Sequence, residues 1–296
     1  MTKTAWVFPG QGSQTLGMGV DLAETPLGKT LFTQAEEILG WSVLERCQSD
    51  EATLAQTLYT QPCLYVISAI LTDLLREQQP LPTLTAGHSL GEYVALYASQ
   101  VFNFSSGLRL VKRRAELMDQ ASGGKMVALI GFDRPELEAT VATVGDVVLA
   151  NDNHAGQVVI SGTESGVDAV LAQVKVKRAV PLNVSGAFHS PLMSSAAQDF
   201  GDLLNSISFV TAKIPVLSNV DPHPTTDAEV LKQRLIQQMT GPVRWREICL
   251  QFTEHQLEQA IEIGPGKVLT GLMKRTCPEL GLVNISSLAE LQAFTA

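Results

Sequence analysis

The pentapeptide Gly87-His88-Ser89-Leu90-Gly91 restricts the fold of this chain more than any other feature. It fits G-x-S-x-G, and its flanks fit as well: Leu84–Gly87 reads as a short strand and residues 92–100 as a helix. A serine on such a turn is pushed out of the sheet. Only glycines on either side let the neighbouring backbones come close enough. The helix start then offers free N–H groups to a developing oxyanion. The plainer alternative is a Ser-Gly turn with no chemistry.

The rest of the chain supports an α/β reading. Residues 5–8 form a short apolar run entering a Gly-rich loop. Thr60 is placed as an N-cap with Pro62 in the first helical turn. Leu64, Ile67, Leu71, Leu74 and Leu75 follow at helical spacing, and Pro80 and Pro82 end that helix. Another helix is expected over 106–120, before Ser122-Gly-Gly-Lys125 breaks the pattern. Beyond that break come a strand (126–131), a helix (134–144), a strand pair (147–151 and 157–161), a helix (165–176) and a strand (178–184). This β-α-β-β-α-β order is a split βαβ unit, an insert of about 60 residues. Strands at 216–219 and 259–263, with helices near 228–239 and after Gly266, return the chain to alternating α/β texture.

Composition narrows the function classes. Of 296 residues, 45% are hydrophobic and 17% charged, so the chain can bury a sizeable core and wholesale disorder is excluded. A net charge of −9 argues against a generic nucleic-acid binder. Cys47, Cys63, Cys249 and Cys277 lie far apart with no CxxC, so neither a disulfide framework nor a metal cluster is indicated. The opening residues do not read as a signal peptide. Residues 52–72 carry no charge, but Gln56, Gln61, Pro62 and four threonines argue against a membrane span. The expectation is a cytoplasmic protein.

A nucleophilic serine needs a base. Among the five histidines, His88 adjoins Ser89, where neighbouring side chains diverge, and His223 and His255 lie in polar context. His154 falls in a turn-type sequence, Asn-Asp-Asn-His. His189 follows the last strand of the insert, where the chain re-enters the main domain; it is either the base or a buried structural histidine. No Asp, Glu, Lys or Arg occurs from 179 to 198, so a neutral group would have to orient the imidazole. Arg114 is the most informative charge. With Arg109 at 0° and about 100° per residue, Arg114 falls near 140°, inside the apolar arc of its helix. A buried guanidinium needs a partner, either a structural carboxylate or the carboxylate of a ligand. Arg109, Lys112 and Arg113 form a mainly basic face. With Lys267, Lys274 and Arg275 they are candidates to receive an acidic partner, or else form a solvated helix face.

Together these segments resemble the malonyl-CoA:acyl carrier protein transacylases, the acyltransferases of dissociated fatty-acid synthesis. The resemblance is carried by residues 8–14 (FPGQGSQ), Thr60-Gln-Pro62, Gly87-His-Ser-Leu-Gly-Glu92, Arg114, Gly156-Gln-Val-Val-Ile160 and Phe188-His189. Ser218-Asn-Val-Asp221, Gly241-Pro-Val243 with Trp245, and residues 264–270 (GPGKVLT) complete it, so it covers almost the whole chain in order. It implies an α/β-hydrolase-like large subdomain (1–124 and 186–296) with a ferredoxin-like inserted small subdomain (125–185). Ser89 would carry the malonyl group as an ester and His189 would be its base. The main-chain N–H groups of Gln11 and Leu90 would form the oxyanion hole. Arg114 would hold the malonyl carboxylate, with Phe188, Asn219 and Gln238 completing the substrate site. A main-chain carbonyl near Gln238 would orient the histidine. Phe188 resembles malonyl-selective members, whereas methylmalonyl-accepting relatives tend to have Ser there. Ser218 and Gly241 stand where some relatives have Asn.

The implied partners are malonyl-CoA and acyl carrier protein. The resemblance implies no metal, no resident cofactor, no nucleic acid and no membrane, and a monomer is expected. A trans-acting polyketide malonyltransferase shares the same chemistry. A serine hydrolase or thioesterase would share Ser89 and His189 but have no use for a buried cation. A non-catalytic carrier-protein docking module would not need an intact Ser89 and His189.

Overall fold

In the computed structural model, which describes Thr2–Ala296, the nine strands divide into two sheets. In chain order they are β1 (Thr4–Phe8), β2 (Leu84–Gly87), β3 (Lys125–Phe132), β4 (Val147–His154), β5 (Gln157–Gly162), β6 (Val176–Pro181), β7 (Val216–Leu217), β8 (Gln259–Ile263) and β9 (Gly281–Ile285). The larger sheet has the order β7-β2-β1-β8-β9, with every neighbouring pair parallel. Parallel strands are covered on both faces, which explains why β1 and β2 read as apolar runs without alternation. Successive residues of β1 still serve different cores. Trp6 and Phe8 face one core with helices Thr57–Arg76, Gly91–Ala98 and Phe104–Gln120. Ala5 and Val7 face another, with Trp245, Ile248 and Phe252 of helix Trp245–Glu254.

The smaller sheet is antiparallel, ordered β4-β5-β3-β6. Numbered within the insert, that is 2-3-1-4, the ferredoxin-like arrangement expected from the sequence. Its strands and helices all lie within 125–185, and Val127, Leu129, Leu137, Val158, Ile160 and Val167 give it a core of its own. The insert is nonetheless stitched to the main body. Val243 N–H donates to Ala150 O at 2.8 Å and Asp152 N–H to Val243 O at 2.9 Å. Asp152 also accepts from Arg246 Nε at 2.9 Å.

The uncharged stretch 52–72 lies largely in the buried helix Thr57–Arg76, with Leu64, Ile67 and Leu71 fully enclosed. Its start corrects one expectation. Thr60 is not the N-cap; the helix begins at Thr57, and Thr60 Oγ1 donates back to Leu54 O at 2.5 Å. Pro62 therefore lies inside the helix, where its missing N–H leaves the Leu58 carbonyl without the usual partner. Helix 104–120 begins two residues earlier than expected, because Asn103 caps it by accepting from Ser106 N at 2.9 Å.

Candidate active site

Ser89 stands between the C-terminal end of β2 and helix Gly91–Ala98 with φ +52°, left-handed backbone that a residue with a Cβ adopts only under constraint. The flanking glycines are obligatory. A Cβ on Gly91 would lie 2.0 Å from Phe8 O, and one on Gly87 would lie 1.9 Å from Gly91 C. The same close approach lays the loop after β1 across the turn: His88 N–H donates to Phe8 O at 3.0 Å. The N–H groups of Gln11 and Leu90 donate to no other group among the described residues.

His189, 100 residues away in sequence, is brought to Ser89. Its Nε2 lies 2.8 Å from Ser89 Oγ. Its Nδ1 lies 3.0 Å from Gln238 O and 3.1 Å from Gly241 O. Two carbonyl acceptors require the proton on Nδ1, so Nε2 is the free base facing the serine. Main-chain oxygens thus take the place of the triad carboxylate, as the uncharged 179–198 stretch requires. Gly241 acts through its backbone, and a Cβ there would crowd Val220 Cγ1 at 2.7 Å, so an Asn at this position would not fit this packing. His189 also has a left-handed backbone, φ +57°. Burial first, and the Arg114 charge second, push its pKa down to about 3, so the imidazole is neutral in the free protein.

Arg114 is completely buried, as its helical position implied. Its guanidinium donates to Gln61 Oε1 at 2.8 Å, Ser89 Oγ at 3.0 Å and Gln238 Oε1 at 3.2 Å. Its carbon lies 5.4 Å from the centre of the Tyr93 ring. Its Nε has no partner, and no carboxylate makes an ion pair with it among the described residues. The guanidinium is bonded to neutral oxygens beside the serine, with the buried Glu92 carboxyl near enough for the two groups to act on each other's charge through the shared neighbour Gln238.

The structure corrects the expected placing of Asn219 and refines that of Gln238. Asn219 is fully buried, and its amide is committed to the turn, accepting from Ser89 N at 2.7 Å and donating to Gly87 O at 2.6 Å. It supports the serine rather than lining a substrate pocket. Gln238 supplies the carbonyl that holds His189, while its side-chain Nε2 donates to Ser89 O and to Glu92 Oε2, both at 2.8 Å. Phe188 is buried immediately before His189, in the main core. The residues that sequence reasoning did not single out are Gln61, Glu92 and Tyr93. Gln61 and Glu92 are polar side chains buried among apolar ones, a signal visible only once the helices are packed. Burial raises the Glu92 carboxyl above its ordinary range.

The expected basic face is not continuous. Lys112 Nζ donates to Ile38 O at 2.9 Å, and Arg113 pairs with Glu116 at 3.4 Å. Lys274 and Arg275 belong to helix Val268–Thr276, which packs on β4 and brings the Arg275 charge to bear on His154. Lys267 faces Glu290 at 3.7 Å.

A parallel α/β sheet that presents a strained serine, a neutral histidine and two free N–H groups at its strand ends defines a serine-centred acyl-transfer fold. The chain belongs to the family described as acyl transferase domain, whose model matches residues 5–292. It is 60% identical over 292 residues to the malonyl CoA-acyl carrier protein transacylase of Synechocystis sp., covering 99% of this chain and 100% of the relative. The crystal structure of a Synechocystis malonyl-CoA:ACP transacylase superposes with a TM-score of 0.96 at 59% identity, covering 98% of this chain and 99% of that one. A malonyl-transacylase solved in complex with its type II polyketide acyl-carrier protein superposes with a TM-score of 0.92 at 38% identity, covering 99% and 98%.

Proposed function

We propose that this chain moves a malonyl group from malonyl-CoA to the phosphopantetheine thiol of an acyl carrier protein, through an ester on Ser89. Arg114 carries this reading: a fully buried cation bonded to no carboxylate, 3.0 Å from the nucleophile. A malonyl carboxylate supplies the missing anion and can accept two parallel bonds from the guanidinium. A neutral acyl chain leaves the charge unpaired.

The geometry orders the steps. His189 Nε2 takes the proton of Ser89 Oγ as that oxygen attacks the thioester carbonyl. The resulting oxyanion sits under the Gln11 and Leu90 N–H groups. When it collapses the C–S bond breaks, and coenzyme A leaves with the proton from His189. In the second half-reaction His189 takes the proton of the carrier thiol, the thiol sulfur attacks the ester carbonyl, and Ser89 Oγ leaves and recovers the proton. Carboxylate binding offsets the Arg114 charge, the second largest of the three causes that depress His189, so the base strengthens once the right acyl group is in place.

A polyketide carrier protein would accept the acyl group by the same chemistry. Four free, buried cysteines fit a reducing compartment and a cytoplasmic location. Intact mass spectrometry after brief exposure to malonyl-CoA tests the proposal. One malonyl mass should appear on the wild-type protein, none on Ser89→Ala, and carrier protein should remove it. Adduct that persists on the Ala variant overturns the assignment, and loss to water as fast as to carrier favours a hydrolase.

A further inference from the structure

We infer that Glu92 is a positioning residue for the transfer, one carboxylate oxygen that holds the serine, the histidine and the arginine in mutual register. It rests on the acyl-transfer reading above. Glu92 is fully buried in the first turn of helix Gly91–Ala98 and touches none of the reacting atoms. Its Oε2 accepts from Gln238 Nε2 at 2.8 Å and from Asn219 N at 3.1 Å, while its Oε1 has no partner. Those two donors belong to different segments, one after β7 and one at the end of helix Ala228–Gln238.

Each tethered residue grips the site in turn. Asn219 fixes Gly87 O and Ser89 N, and Gln238 fixes Ser89 O, so the left-handed serine is clamped on both sides of its Cα. The Gln238 main chain holds His189 Nδ1, and its side-chain Oε1 receives Arg114. The two acceptors facing Gln238 Nε2, Ser89 O and Glu92 Oε2, fix the orientation of that amide, leaving its carbonyl for the cation. Without Glu92, a buried Asn219 N–H loses its acceptor and Gln238 keeps one anchor of two. The nucleophile, the base and the carboxylate grip then loosen together.

What matters is an acceptor at a set reach. Glu92→Gln keeps the reach and one carbonyl oxygen, while Glu92→Asp withdraws the acceptor by about one C–C bond, ~1.5 Å. The measurement is kcat/KM for acylation by malonyl-CoA and by acetyl-CoA, per serine titrated with a fluorophosphonate, beside the thermal midpoint. Glu92→Asp and Glu92→Leu should lower the malonyl-to-acetyl ratio by about tenfold, the equivalent of one weakened charge-assisted bond, and Glu92→Gln should restore it. A merely structural acid would move the thermal midpoint and leave the ratio per titrated serine at its wild-type value, which overturns the inference. A ratio in Glu92→Gln as low as in Glu92→Asp also overturns it, because charge rather than the acceptor would then be at work. If Glu92→Leu does not fold, the Asp and Gln variants decide. A wild-type protein that takes no malonyl group refutes the acyl-transfer reading itself. One that takes it, with a ratio indifferent to Glu92→Asp, refutes only the role of Glu92.

Discussion

Replacing Arg114 by alanine should convert a carboxylate-selective site into an indifferent one. In the wild-type protein a bound malonyl carboxylate meets a fully buried guanidinium whose bonded rivals are neutral oxygens, Gln61 Oε1, Gln238 Oε1 and Ser89 Oγ. Removing the cation leaves that carboxylate buried and unpaired, a loss of about 3–5 kcal/mol. At about 1.4 kcal/mol per tenfold, kcat/KM for malonyl-CoA should fall by a factor between ~10² and ~4 × 10³. Acetyl-CoA has no such partner to lose. Its acylation should hold or rise, because the Arg114 charge that helps to depress His189 is gone and the base is stronger. The malonyl-to-acetyl ratio should therefore drop by at least ~10². Arg114→Lys, a point charge without the planar fork, should recover only part of it. Rapid-quench acylation followed by intact mass spectrometry gives both rate constants on one preparation. A ratio within threefold of wild type in Arg114→Ala would refute the reasoning and return Arg114 to a structural role.

The remaining predictions concern the base, the turn and the acyl pocket. His189→Ala should slow both half-reactions by ~10²–10⁴, and near-normal transfer at pH 7 would exclude it as the base. Because burial and the Arg114 charge push the His189 pKa down to about 3 in the free protein, kcat/KM for acylation by malonyl-CoA should stay flat as pH falls from 8 to 5; a limb centred on 6.5 would contradict that depression. The same depression means that the unfolded chain binds the extra proton below pH 6.5, so stability is lost as pH falls from there towards 3. His189→Ala should flatten denaturant-derived stability against pH in that window by about 1.4 kcal/mol per pH unit. Gly91→Ala places a methyl 2.0 Å from Phe8 O, so the variant should lose soluble folded protein or, where folded, acylation; a well-folded, fully active variant would show that the turn can relax. Phe188→Ser should raise acylation by methylmalonyl-CoA relative to malonyl-CoA, and an unchanged ratio would place Phe188 outside the acyl pocket.

The parts of this fold that the sequence made legible are those encoded locally. The turn at Ser89 is written in five consecutive residues, and the insert in a run of strand and helix patterns that follows the Ser122-Gly-Gly-Lys125 break. Arg114 was legible because a single helix carries both the apolar arc and the exception to it. The support of the site was not, because its bonds span 127 to 149 residues, from Glu92 to Asn219 and from Ser89 to Gln238. No periodicity reports such a pairing. Strand β9 and the helices of residues 21–54 also escaped, although Pro26–Leu39 carries an N-cap at Thr25, Pro26 at its start and a clear amphipathic pattern. Thr60 misled because a Thr-x-Pro sequence resembles a helix start, whereas packing against the residues before it extended the helix by one more turn.

Because the clamps on Ser89 come from the far side of the insert, the reactive serine matures late in synthesis. β2 and the turn leave the ribosome first, but Asn219, Gln238 and the carbonyls that hold His189 are still to be made. At about 5–20 residues per second, Gln238 follows Ser89 by roughly 7–30 s. During that interval the nascent chain lacks the Asn219 and Gln238 bonds that hold residue 89 on both sides of its Cα, and the carbonyls that hold His189. A chain terminated inside or just after the small subdomain therefore carries the complete G-x-S-x-G sequence without the residues that clamp the serine and hold its base, all of which lie in the last third of the polypeptide.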